Sequence, residues 1–329
     1  MRSSSQIKGE GTAHSKLILI GEHSVVYGEP AIALPFPLLM VKSTVQEGAG
    51  EITISSDFYN GPLGTIPDRL EGIAVCIRES LKFLAKPAKD IHFTIKSMIP
   101  IGRGLGSSAA IATSVVRSLF SYFEKTLSHQ MLMYLVDIAE KYAHGNPSGI
   151  DMECVSRDVP IWFKKGEAIQ PIEMGVPLNL VVADSGRIGD TRAAVTAVRE
   201  KYEKHYQKAK QSIKYIGDMT RKAKSILAGE RPEKLGGLLN KAQEELMKLG
   251  VSDGNLNELV TCARNAGALG AKLTGGGRGG CIVALAKNME DAERISDSLK
   301  AAGAKDTWFF TLGMSQSASM NEASRGDLI

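Results

Sequence analysis

The chain has 329 residues, 43% hydrophobic and 23% charged. That is an ordinary globular composition, long enough for two domains without a disulfide or metal staple, and it excludes disorder for the bulk of the chain. Lys and Arg number 40 against 36 Asp and Glu, a net charge of +4, but Arg199 to Lys224 alone holds nine basic and three acidic residues, a local +6 that leaves the rest at −2. A nucleic-acid or membrane binder spreads or stripes its charge more widely, so neither partner is expected.

The 34 glycines are clustered rather than periodic, which excludes collagen and points to tight turns or backbone-lined sites. Cys76, Cys154, Cys262 and Cys281 are far apart with no CxxC pair, and read as reduced thiols of a cytoplasmic protein. No apolar run approaches the roughly 20 residues of a membrane helix. Met1 to Ser15 is polar and lacks the apolar stretch of a secretory signal.

In chain order, Lys16 to Ile20 predicts a buried strand ending at Gly21. Ala31 to Gln46 and Glu51 to Ser56 predict two more. Pro67 opens a helical pattern with Leu70, Ile73, Ile77, Leu81 and Leu84 on one face. Ile91, Phe93 and Ile95 alternate as a half-buried strand. A glycine loop leads to a helix from Ser107 to about Phe123. Ser128 suits the N-cap of the next helix, and Gly145 its C-cap. A strand follows at Leu178 to Ala183. The apolar face Val195, Val198, Tyr202, Tyr206, Ala209, Ile213, Ile216 then predicts one long helix from Asp190, with the basic excess on its solvated side. Two more helices reach about Gly267, then a strand (Cys281 to Ala286), a helix (Met289 to Ala301) and a strand (Trp308 to Leu312). Ser315 to Ile329 reads as a loose tail. The mixture lacks strict βαβα alternation and favours an α+β fold in two lobes, divided as 1–177 and 178–329.

Four segments carry residues suited to chemistry. In Pro100 to Ala110, Gly102, Gly104 and Gly106 alternate before Ser107 and Ser108 open a helix. Alternate glycines let backbone approach a ligand, and a helix N-terminus offers free N–H groups to an anion. The serines are able to cap the helix, bond a phosphate or ligate Mg²⁺. No Gly-Lys-Ser/Thr follows, so this is not a P-loop; the third dinucleotide-fingerprint glycine is replaced by Ser107. In the second segment, Glu140 precedes the turn at Gly145 and Asp151 follows it. The two carboxylates suit a metal and a base, or else Asp151 is an ordinary cap residue. The third joins Lys16 to Glu22 and His23 at a strand end, catalytic or merely structural. The fourth, Lys272 to Cys281, holds five glycines in six residues. It is either backbone close to a ligand or a flexible linker, though a linker seldom runs straight into Cys-Ile-Val-Ala-Leu.

The segments Lys16 to Gly28, Pro100 to Ala110 and Lys272 to Cys281, in that order, resemble the three motifs of the GHMP kinase family. His144 to Asp151 together with Gly21-Glu-His-Ser-Val-Val-Tyr-Gly28 is similar to its mevalonate-phosphorylating members. The resemblance covers about residues 10 to 315. It implies a two-lobed GHMP kinase fold: an N-terminal lobe like ribosomal protein S5 domain 2 and a ferredoxin-like C-terminal lobe, with ATP and mevalonate in the cleft between them. It implies ATP- and Mg²⁺-dependent phosphorylation of the mevalonate C5 hydroxyl. Another small-metabolite kinase of the family, with phosphomevalonate as substrate, is the alternative.

By the same resemblance Gly102, Gly104, Leu105, Gly106, Ser107 and Ser108 wrap the ATP phosphates. Ser108 and Glu140 ligate Mg²⁺, Asp151 faces the reacting hydroxyl with Lys16 beside it, and Glu22, His23 and Thr191 line the mevalonate pocket. Arg192 and His23 are the candidates to meet the mevalonate carboxylate. The expected partner is this small molecule, and a homodimer stays open.

Two departures stand out. His14-Ser15-Lys16 replaces the common Pro-Gly-Lys and alters the turn ahead of the lysine. In the third motif Gly276 replaces an alanine and Arg278 a glycine, with Arg278 expected to face solvent.

Overall fold

The computed structural model describes residues 8–145, 147–229 and 233–313. The expected loose tail lies outside them. The described residues within Met1–Ile18 and Ala33–Ile169 form one compact unit, and those within Leu19–Ile32 and Gln170–Ile329 a second.

In the first unit the strands are β1 (Lys8–Ile20, whose last two residues fall in the second unit), β2 (Ala31–Glu51), β3 (Thr53–Ser56), β4 (Asn60–Pro62), β5 (Lys89–Ser97) and β6 (Ile161–Phe163). The helices are α1 (Glu71–Phe83), α2 (Ser107–Tyr122), α3 (His129–His144) and α4 (Ile150–Val155). The sheet runs β4-β3-β5-β2-β6, with β1 beside β2. β2 and β5 are antiparallel, while β3 and β5 are parallel. α1, α2 and α3 pack on one another.

β1 is longer than Lys16 to Ile20. Its first half alternates Gly9, Gly11 and Ala13 as the inward residues, where sequence reading looks for larger apolar side chains. α2 explains the choice: a Cβ on Gly9 would lie 2.3 Å from the Ser118 carbonyl oxygen, and one on Gly11 would lie 2.2 Å from that of Ser114. β2 runs on past Gln46 because Gly48 and Gly50 accommodate a bulge, marked by a register shift between Glu47 and Glu51, instead of ending the strand. Ser128 accepts the Met131 amide, and Gly145 closes α3, as expected.

The second unit holds β7 (Gln170–Pro171), β8 (Leu178–Asp184), α5 (Thr191–Lys204), α6 (Tyr206–Leu227), α7 (Glu233–Leu249), α8 (Gly254–Asn265), β9 (Gly270–Thr274), β10 (Cys281–Ala286), α9 (Met289–Ala301) and β11 (Asp306–Leu312). Its four-stranded sheet, order β11-β8-β10-β9, is antiparallel throughout. α7, α8 and α9 pack on it. The combination of sheets and helices makes the fold α+β.

The single helix expected from Asp190 is two, broken at His205 with φ −131° and ψ 49°. The apolar spacing continues in phase across the break, and no Gly or Pro marks it. Tyr202 and Tyr206 pack edge to face over it, 5.0 Å between centroids. Three of the nine basic residues from Arg199 to Lys224 form pairs on their own helices, Arg199–Glu203, Lys204–Glu200 and Arg221–Asp218, with Arg221 also on Glu29.

β9 is pressed onto α7 through bare backbone. A Cβ on Gly236 would stand 2.3 Å from the Leu269 carbonyl oxygen and 2.8 Å from the Leu269 Cβ. Gly236→Ala should therefore cost about 2–3 kcal/mol of stability in urea unfolding, the usual penalty of overpacking against unyielding atoms. A loss under about 0.5 kcal/mol would show that this contact yields easily.

Candidate active site

In the first unit, β1 carries Lys16 into the interior at 2% exposure, and its Nζ meets Asp151 Oδ1 at 2.8 Å. Asp151 occupies the first turn of α4, which starts after Gly149 at φ 90°. Asp151 is 36% exposed, so the carboxylate is anchored on its inner side and open on its outer one.

The glycine loop closes over the lysine. Gly102, Gly104 and Gly106 all hold left-handed φ between 72° and 75°. A Cβ on Gly106 would lie 2.9 Å from Lys16 Cγ and 3.2 Å from Val155 Cγ1. The Leu105 carbonyl accepts both the Lys16 amide, at 3.2 Å, and the Ser15 hydroxyl, at 2.8 Å. Gly106 is the N-cap of α2, and no side chain caps that helix. Capping by the loop serines is thus excluded, and the first-turn amides at Ser107 and Ser108 face a position suited to an anion.

The turn expected ahead of Lys16 does not exist. β1 runs unbroken through His14 and Ser15. Ser15 takes over as a tether to the glycine loop, while a His14 ring nitrogen lies 2.9 Å from the Arg157 carbonyl. The sequence marks Ser15 only as a departure from the family motif and not as a tether; a small polar residue inside an apolar strand is the signal for that role.

Ser108 opens α2, and Glu140 is buried near the end of α3, the helix packed beside it. One carboxylate and one hydroxyl are hard oxygen donors, which fits Mg²⁺ better than zinc or other softer metals. Cys154 lies near the Lys16–Asp151 pair, but burial pushes its thiol far up, so it is no nucleophile. All four cysteines are free. Asn146 of the turn before Asp151 lies outside the described residues.

In the second unit, Glu22 and Lys272 form an ion pair with both side chains at or below 1% exposure. Next to it His23 adopts φ 59°, strained for a residue with a Cβ. Its Nε2–H donates to the Gly276 carbonyl at 2.8 Å. Burial first, then the charges of Lys272 and Arg278, push the imidazole down to about 4 against the helpful hydrogen bond. His23 is therefore neutral near pH 7, which corrects its candidacy as a cation for a carboxylate. Arg192, exposed on the first turn of α5, keeps that candidacy.

Thr191 explains one departure from the family pattern. A Cβ on Gly276 would fall 2.5 Å from Thr191 Oγ1 and 3.0 Å from its Cα, so alanine does not fit beside this threonine. Arg278 is exposed with φ 53°, the conformation that favours the family's glycine, and its Nε donates to the Gly250 carbonyl at 3.3 Å. The loop is a packed turn and no linker: a Cβ on Gly277 would lie 2.2 Å from the Val251 carbonyl oxygen, and one on Gly279 would lie 2.7 Å from that of Ile188.

Comparison with known proteins gives the family. Residues 70–156 match the GHMP kinases N terminal domain and residues 223–305 the GHMP kinases C terminal domain. The chain belongs to the GHMP kinase family. The relatives it matches include the mevalonate kinase of Pyrococcus horikoshii, 33% identical over 313 residues that cover 89% of this chain and 92% of that one. Among solved structures, L. major mevalonate kinase in complex with R-mevalonate superposes with TM-score 0.82 at 26% identity, over 95% of this chain and 98% of that chain. The mevalonate kinase of methicillin-resistant Staphylococcus aureus gives 0.72 at 31%, over 93% and 99%.

The His23 environment predicts a pH dependence. The folded value lies near 4 and the ordinary one at 6.5, so the unfolded chain binds the proton more tightly. Stability contributed by neutral His23 is complete above about pH 6.5 and is lost as pH falls toward 4. Urea unfolding should show the wild type losing about 2 kcal/mol more than His23→Gln between pH 7 and pH 5. Parallel losses would remove His23 from this role.

Proposed function

We propose that this chain transfers the γ-phosphate of ATP to the C5 hydroxyl of mevalonate, with Mg²⁺. It is an ATP-dependent small-molecule kinase. The observation that carries the reading is the Lys16–Asp151 pair at 2.8 Å under the glycine loop. Phosphoryl transfer needs positioning and charge neutralisation more than covalent chemistry, and this unit supplies both.

Asp151 accepts the C5 hydroxyl proton on its open side as that oxygen attacks the γ-phosphorus and ADP departs. Lys16, fixed on the inner side, stabilises negative charge on the attacking oxygen. The amides from Gly102 through Ser108 receive the phosphate oxygens, as the left-handed glycines and the side-chain-free cap of α2 support. Ser108 and Glu140 would hold Mg²⁺, which would supply neutralisation of phosphate charge there. Glu22, His23 and Thr191 line the mevalonate pocket, with His23 as a neutral hydrogen-bonding group and Arg192 facing the carboxylate. The free cysteines support a cytoplasmic setting. Phosphomevalonate is disfavoured as substrate, because the concentrated basic residues lie along α5 and α6, where Arg199, Lys204 and Arg221 are already paired with acids of their own helices.

A panel of mevalonate, phosphomevalonate, galactose and homoserine with ATP and Mg²⁺ tests the reading. Turnover should be far highest with mevalonate, and preference for another member contradicts it. Asp151→Asn should lower kcat by on the order of 10²- to 10³-fold in a folded protein. A near-normal kcat would take Asp151 out of the reaction.

A further inference from the structure

Lys272 stands at the centre of β9, a strand buried along all five residues. Its side chain is 0% exposed. Its neighbours across the ladder and along the strand are Val283, Ala271 and Leu273. Nothing along the strand itself asks for a cation. Apolar side chains of similar volume in place of both Lys272 and Glu22 would serve the fold as well or better, since burying an ammonium and a carboxylate strips both of hydration before their attraction repays it. The pair is thus poorly explained by stability.

The lysine is well explained by what its Nζ touches. The ammonium donates to Glu22 Oε1 and to the Leu273 carbonyl. Burial drags the ammonium below the usual lysine range, and the carboxylate of Glu22 opposes that shift. Four residues on, the Gly276 carbonyl takes the His23 Nε2–H. The segment from Lys272 to Gly276 therefore grips Glu22 and His23 one after the other.

The grip has a firm base. Asn240 Oδ1 and Gln243 Oε1 of α7 accept the Ala271 and Leu273 amides at 3.0 and 2.9 Å, fixing the edge of β9 that β10 does not pair. His23 meanwhile holds a strained positive-φ backbone conformation, which persists only when its surroundings over-determine it.

We propose that Lys272 is a positioning residue for substrate binding, acting through Glu22. Its ammonium fixes the Glu22 carboxylate as an acceptor in one orientation and holds the Gly21–Ser24 turn in register with the turn at Gly275 to Gly280. This rests on the assignment of Glu22 and His23 to the mevalonate pocket above.

Steady-state kinetics of Lys272→Met test it. The KM for mevalonate should rise by at least about tenfold while the KM for ATP stays within about twofold, because the phosphate-binding residues belong to the other unit. An unchanged mevalonate KM in the folded variant, or an equal rise in both constants, overturns the proposal. The lone buried carboxylate in Lys272→Met endangers folding, so the paired variant Glu22→Gln/Lys272→Met keeps the question open to measurement. It should melt close to the wild type yet retain the raised mevalonate KM. A mevalonate KM restored along with the melting temperature would make the pair purely structural and overturn the proposal. Failure of the wild type to use mevalonate would instead contradict the reading of the site, so the two failures are distinguishable.

Discussion

The first unit is organised around one buried ammonium. Lys16 is 2% exposed, so its charge must be met from inside the protein, and Asp151 meets it at 2.8 Å. Three elements have to agree for this to happen. β1 must run straight to the lysine, the loop after β5 must bend over its stem, and α4 must begin just before the aspartate. Each requirement leaves a trace in the backbone. Ser15 ties β1 to Leu105, Gly106 leaves no room for a Cβ above Lys16, and Gly149 takes a left-handed φ to start α4. The same curvature that seats the lysine leaves the N-terminus of α2 without a side-chain cap.

The second unit solves a related problem with a different emphasis. Its charged pair, Glu22 and Lys272, is wholly buried, and the nearby His23 is kept neutral by that burial and by neighbouring cations. The turn at Gly275 to Gly280 is rigid because backbone packs on backbone at Val251, Ile188 and Thr191. Glycine here buys proximity, with freedom of φ as the second requirement at Gly275, Gly277, Gly279 and Gly280.

Much of this was legible in the sequence, for physical reasons that also mark the limits. Helices α2, α3 and α9 and strand β10 announced themselves by periodicity and caps, and the motif glycines foretold where φ turns positive. The first half of β1 was illegible because its inward residues are glycines, chosen by the backbone of α2. The break at His205 was illegible because the apolar phase carries across it. The Lys16–Asp151 pair was anticipated from motif resemblance. The Glu22–Lys272 pair was not, since 250 residues separate partners whose meeting depends on tertiary structure alone. The neutrality of His23 belongs to the same class: it follows from burial, which no motif records.

The central claim is that the Lys16 ammonium, held against Asp151, acts on the reacting oxygen. The most direct measurement is the single-turnover rate of phosphoryl transfer by Lys16→Met at saturating ATP and mevalonate, with ATP affinity measured alongside. The account predicts a rate lower by about 10²-fold or more with ATP affinity changed by less than about threefold. A transfer rate within about threefold of the wild type would contradict it.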